Sequence, residues 1–176
     1  AEAADALVHG ADEIDLVLPY DAFLDGRPDV AAAMIDAVRA IVGSPRRLKV
    51  ILETGSYPDL PAVDRAARLA IEHGADFIKT STGKTSASAS PDAARTMLLA
   101  IRDTRAVTGR TVGIKPSGGI RTAADAAIYL AIADEIMGPE WANPATFRFG
   151  ASGLLDALEA VIAGDESVAA ADDASY

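Results

Sequence analysis

The chain has 176 residues, with 16 Lys and Arg against 26 Asp and Glu, a formal net charge of −10, two His, no Cys, one Trp, four Tyr and four Phe. This length fits one domain with a real core, and an acidic, aromatic-poor composition lacks the basic footprint and stacking platforms of nucleic-acid binders. Charges such as Asp36 and Arg39 interrupt every long apolar stretch, so no membrane span of about 18 residues is expected, and the lack of Cys excludes disulfides, thiolate catalysis and Cys-ligated zinc and fits a reducing, cytoplasmic setting.

Short β-rich segments alternate with longer Ala-rich ones of helical pattern. Strands are expected over 13–19, 48–54, 76–82, 111–117 and 147–150. Helices are expected from Pro28 to about Val42, from about Pro58 to His73, from Pro91 behind an N-cap at Ser90, after Thr122 with Asp125 as its capping partner, and from Leu154 to Ala163. The strand starts recur every 28 to 36 residues, the length of one strand plus a crossover helix, which implies a parallel sheet. The segments at 9–12 and 73–76 both read His-Gly-Ala-Asp at a helix-to-strand junction. Gly at a left-handed cap and His at the favourable end of the helix dipole explain the repeat without a metal or catalytic role. Neither a G-x-G-x-x-G after the first strand nor a phosphate-binding P-loop occurs, which favours a (β/α)8 barrel over an open nucleotide-binding sheet. Five units are present where that barrel has eight.

The chemistry lies on the strands. Asp15 faces away from Ile14 and Leu16, Lys49 and Glu53 share one face, and Lys79 and Lys115 stand in segments that should be continuously apolar. Lys49 is expected to pair with Glu53. Lys79 and Lys115 lie one repeat apart, each followed at once by turn residues, so their ammonium groups can converge. A lysine that is crowded by another cation and partly desolvated offers a neutral amine near pH 7, as a Schiff base requires. The loops behind these strands suit an anion: Ser81, Thr82, Gly83 and Lys84 follow Lys79; Ser117, Gly118, Gly119 and Arg121 follow Lys115; Gly150, Ala151, Ser152 and Gly153 precede the last helix.

At these residues the chain resembles the deoxyribose-phosphate aldolase family of class I Schiff-base aldolases. The carriers are GADEIDLVLPY at 10–20, LKVILETG at 48–55, GADFIKTSTGK at 74–84, VGIKPSGGIRT at 112–122 and FRFGASGLL at 147–155. The resemblance implies a TIM (β/α)8 barrel present here as its fourth to eighth strands, with one partial barrel domain over 1–163 and an acidic tail over 164–176. It implies reversible cleavage of 2-deoxyribose 5-phosphate to glyceraldehyde 3-phosphate and acetaldehyde, with no metal or cofactor and with a small phosphorylated sugar as the partner. It also implies roles: Lys79 forms the imine, Lys115 perturbs it, Asp15 relays protons and Lys49 belongs to the same network. Thr82, Gly83, Lys84, Gly118, Gly119, Arg121, Gly150 and Ser152 match positions at or beside the phosphate. Gly153 stands where the family often has a second serine. The closing Tyr176 matches a tail tyrosine implicated in proton transfer, which implies a complete C-terminus and places any loss at the N-terminus.

Five strands leave two open edges and an exposed inner face. Three outcomes are open to such a sheet: it opens flatter, pairs edge to edge with a second copy as a homodimer, or never reaches an active fold, and a catalytically inactive truncated barrel is the alternative reading. Another phosphate-binding barrel lyase or isomerase would share the scaffold alone.

Overall fold

The computed structural model describes residues 1–85 and 89–164. In chain order these form α1 (Glu2–Val8), β1 (Glu13–Val17), α2 (Tyr20–Leu24), α3 (Pro28–Val42), β2 (Arg47–Ile51), a 3-10 turn at Thr54–Ser56, α4 (Leu60–Glu72), β3 (Phe77–Lys79), α5 (Pro91–Thr108), β4 (Gly113–Lys115), α6 (Ala123–Met137) and α7 (Leu154–Ala163). The four strands make one parallel sheet in the order β1-β2-β3-β4, so each strand is followed by a helix that crosses back to the next.

The helix ends lie where local chemistry puts them. Asp59, Ser90 and Thr122 are N-caps whose side chains accept from the amides of Ala62, Ala93 and Asp125. Asp125 also accepts from the Thr122 amide, completing a capping box. Helix α4 starts at Leu60, two residues beyond Pro58, because Asp59 takes the cap. His9 and His73 are the C-caps of α1 and α4, with Nδ1 bound to the Asp5 carbonyl and to the Asp36 carboxylate. The short helix α2 has too few residues to show a period and was not expected.

The segment 147–150 departs from expectation. It runs parallel to β4 but joins it through isolated bridges at Ile114–Phe147 and Ser117–Gly150. The amide of Ile114 donates to the Thr146 carbonyl, Arg148 to Ile114, Gly150 to Pro116 and Gly118 to Gly150. The one rung lacking is that from residue 116 to the Arg148 carbonyl, and residue 116 is a proline with no N–H to donate.

The two sheet faces differ in kind. Ile14, Leu16, Leu48, Val50, Ile78 and Ile114 share the apolar core with the helices. Helix α4 meets this core through Ala62, Ala66, Ala67 and Ala70, whose small side chains permit close approach. The opposite face carries Glu13, Asp15, Lys49, Phe77, Lys79 and Lys115, which alternate with the core residues along each strand and stand in register across the sheet.

That second face is not the open surface expected of five strands, since Lys49 is 3% exposed. Arg148, on the segment beyond β4, pairs with Glu13 of β1 at 2.8 Å. In a flat sheet four interstrand steps would separate these backbones by about 19 Å, beyond the reach of the two side chains. The sheet therefore curls around its charged face.

Candidate functional site

Parallel register brings the lysines together. Lys79 lies opposite Lys115 across β3 and β4, and Asp15 lies opposite Lys49 across β1 and β2. The charged groups then form a chain. Arg148 binds both carboxylate oxygens of Glu13, at 2.9 and 2.8 Å. Lys49 Nζ donates to Glu13 Oε1 and, at 2.8 Å, to Asp15 Oδ1. The other Asp15 oxygen lies 3.6 Å from Lys79 Nζ. Lys49 does not pair with Glu53 as the sequence suggested. The chain bends sharply after Ile51, with Glu53 at φ 59, and its carboxylate turns to the loop after β3, where Thr82 and Thr85 donate to it.

Burial and charge act together on two groups. Desolvation is the largest influence on the Lys115 ammonium, and the like charges of Lys49 and Lys79 add to it, so Lys115 loses its proton below the ordinary lysine range despite Asp15 and Glu13. Burial raises the Glu13 carboxyl, but the hydrogen bonds of Lys49 and Arg148 more than offset it and hold Glu13 below its usual range.

Beside Lys79 opens a cleft of about 520 Å³ lined by Thr82, Gly83, Gly118, Gly119, Arg121, Gly150 and Ser152, with Ser117, Ile120, Ala151 and Gly153 completing it. Of the residues expected at a phosphate, Lys84 alone does not line it. A Cβ on Gly150 would stand 2.4 Å from Ser117 Oγ and 3.1 Å from Lys115 Cε, so a glycine at 150 leaves both side chains their space, the serine first. Tyr176 lies outside the described residues. Among the described residues no group of three His, Asp or Glu is arranged to hold a metal ion.

Several residues build the site in a way that the sequence does not show, including Ser81 and Ser117, which the sequence marks only as parts of anion-binding loops. Thr80 and Ser81, fully buried, tie the loop after β3 to the loop after β4: both hydroxyls donate to the Ser117 carbonyl, and the Ser117 amide returns a bond to Thr80 Oγ1 at 2.8 Å. The Ser117 hydroxyl donates to the Gly150 carbonyl at 3.1 Å. Three consecutive loops are thus laced together. Glu13 and Arg148 form the other half of the ion chain, and their only sequence signal is charge at inward-facing strand positions.

The profile described as DeoC/LacD family aldolase matches residues 1–159. The chain is 53% identical over 171 residues to a deoxyribose-phosphate aldolase of Agrobacterium fabrum, covering 97% of this chain and 64% of that protein. A crystal structure from Toxoplasma gondii ME49 assigned to deoxyribose-phosphate aldolase superposes with a TM-score of 0.81 at 30% identity, covering 94% of this chain and 64% of that one. Another from Coccidioides immitis, assigned likewise, has a TM-score of 0.75 at 30% identity, covering 92% and 56%. The chain therefore spans a little under two thirds of the length of these relatives, which are TIM-barrel aldolases. With a matching profile over nine tenths of its length and Lys79, paired across the sheet with Lys115, lining a glycine-rich cleft, this chain belongs to the DeoC/LacD aldolase family.

Proposed function

We propose that the chain carries the deoxyribose-phosphate aldolase chemistry of its relatives, as an arc of the barrel made of five βα units. The observation that carries this reading is the placement of Lys79 beside Lys115, within 3.6 Å of Asp15 and at the edge of the glycine-lined cleft. In the reaction, the unprotonated Lys79 amine adds to the C1 aldehyde of open-chain 2-deoxyribose 5-phosphate, and water leaves to form the imine. Loss of the C3 hydroxyl proton breaks the C2–C3 bond and releases glyceraldehyde 3-phosphate, while the electron pair moves toward nitrogen to give an enamine. Protonation at C2 and hydrolysis then free acetaldehyde and restore the amine. Asp15 and Lys115 exchange these protons, directly or through water. Lys115 suits this role because its surroundings favour release of its proton. Lys49 holds Asp15 in place.

The loops at 82–84, 118–121 and 150–152 take the phosphate, with backbone N–H groups, the Ser152 hydroxyl and Arg121 as donors. Lys84 joins them only if its side chain swings toward the cleft, and Tyr176 is a proton donor from the 164–176 tail in this reading. The steps use no metal or cofactor. A cytoplasmic location belongs to the same proposal, since charge keeps phosphorylated sugars within the compartment that makes them. Homodimerisation through the open edge of β1 is the accompanying assembly. The opposing reading, a fragment without catalysis, draws on the chain's spanning less than two thirds of its relatives.

Borohydride reduction in the presence of acetaldehyde separates the two. The expected result is a single covalent adduct on Lys79 in the 176-residue chain and none in Lys79→Ala; equal labelling of that variant overturns the assignment. Aldehyde release from 2-deoxyribose 5-phosphate, measured alongside, reads the complete cycle.

A further inference from the structure

Glu53 is the one non-glycine residue among those described whose backbone is left-handed, at φ 59 and ψ 56. It is also 2% exposed. A carboxylate buried this deeply needs a counter-charge or several donors. Among the described residues no Lys, Arg or His lies within ion-pair distance of it. Its donors come instead from the loop after β3. The Thr82 amide lies 3.2 and 3.3 Å from its two oxygens, Thr82 Oγ1 donates at 2.6 Å and Thr85 Oγ1 at 3.2 Å. The same Thr82 hydroxyl accepts from the Lys84 amide at 3.2 Å, closing a tight turn. At its other end this loop is laced to Ser117 through Thr80 and Ser81. The 80–85 loop is therefore strung between Glu53 and Ser117, and it leaves β3 directly after Lys79.

We infer that Glu53 is a positioning residue: by gathering the Thr82 amide and the Thr82 and Thr85 hydroxyls, it sets the wall formed by Thr82 and Gly83 in the cleft that receives the substrate phosphate. The inference rests on the phosphate reading of that cleft. Its strained backbone is the local cost of aiming the carboxylate at the loop, a placement typical of residues that shape binding sites. Without Glu53, the Thr82 amide and hydroxyl have no fixed acceptor, and the wall no fixed position.

The test uses the whole 176-residue chain, unaltered and as Glu53→Gly and Glu53→Gln. Glycine adopts the left-handed backbone without strain, so Glu53→Gly removes the carboxylate and spares the turn. Glu53→Gln keeps the shape but replaces one of the two acceptor oxygens by an NH2 that cannot accept, so the bonds from the Thr82 amide and the Thr82 and Thr85 hydroxyls cannot all be kept, and it carries the test if the glycine variant does not fold. Titration with inorganic phosphate reads the cleft, hydrogen exchange at the Thr82 amide reads the loop, and borohydride trapping of acetaldehyde on Lys79 reads the lysine site. The expected result is phosphate affinity about ten-fold weaker in Glu53→Gly, with a smaller loss in Glu53→Gln, faster Thr82 exchange in both, and trapping retained. Unchanged phosphate affinity, unchanged Thr82 exchange, or a general loss of stability with affinity intact overturns the inference. Absence of phosphate binding by the unaltered chain overturns the cleft reading itself and this inference with it, and the unaltered control makes the two failures distinct.

Discussion

Lys115 and Glu13 bear opposite charges, yet both are held below their free values, so the contribution of each to stability rises with pH, in two separate windows. The Lys115 ammonium is disfavoured by desolvation first and by Lys49 and Lys79 second, so its folded value lies below the 10.5 of a free lysine. Its protonated form weakens the fold, and its contribution to stability improves as pH rises from the folded value toward 10.5. Glu13 is held below its free value of 4.5; its stabilisation is complete above that value and disappears as pH falls through the lower folded one. Lys49→Met removes a like charge and should move the Lys115 titration upward, whereas Asp15→Asn removes an opposing charge and should move it down. Side-chain NMR titration of Lys115 reads both shifts, and a titration unmoved in either variant contradicts the account. Lys49→Met also strands carboxylates. It should cost about 2–3 kcal/mol in urea unfolding near pH 7, toward the low end of a broken buried pair, because Arg148 still holds Glu13 and Asp15 is 38% exposed. Lys79 and Lys115 are conspicuous in the sequence because a lysine in a buried parallel strand is anomalous. Glu53 misleads: the two-residue period puts it on the face of Lys49, but the backbone turn that breaks the period is invisible in the residue string.

Among the elements, β4 shows most clearly how one residue sets its neighbours. A Cβ on Gly113 would fall 2.3 Å from the Phe77 ring, and the Arg148 guanidinium lies over that ring at 4.4 Å from its centre. Gly113 thus makes room for the aromatic that supports the Arg148–Glu13 pair. Gly113→Ala should lower stability by about 1–3 kcal/mol through overpacking. Combining it with Phe77→Leu should recover part of that loss, a coupling a double-mutant cycle measures; strict additivity would show that the two do not share the space. The capping box of α6 is the simpler case, since its chemistry is local. Thr122→Ala should cost about 1 kcal/mol by the same unfolding measurement. Such caps were legible residue by residue, as was the whole of α3. The 147–150 segment was legible as a strand and is nearly one, but the residue that interrupts its ladder is Pro116, directly after the neighbouring strand β4. An interruption imposed from across a sheet leaves no mark on the segment that suffers it.

At the scale of the molecule, the Arg148–Glu13 pair joins the two sides of a curled sheet across 135 residues of sequence. Among the described residues β1 pairs only with β2, so its other edge offers free backbone groups to a further strand. Sedimentation velocity over a concentration series should show self-association, weakened by Val17→Lys at the 42% exposed edge position; a single species at all concentrations would remove the dimer from the proposal. The sequence by itself determined the alternation of strand and helix, the face each strand side chain takes, the helix caps and the lysine pair, because these depend on spacing and on the chemistry of a few adjacent residues. Only the tertiary structure decided that Lys49 pairs with Glu13 and Asp15, that Glu53 holds the loop after Lys79, and that the sheet curls until Arg148 reaches β1. Those are choices among partners 29 to 135 residues apart in the chain, and periodicity names the face a side chain takes without naming what the fold will bring opposite it.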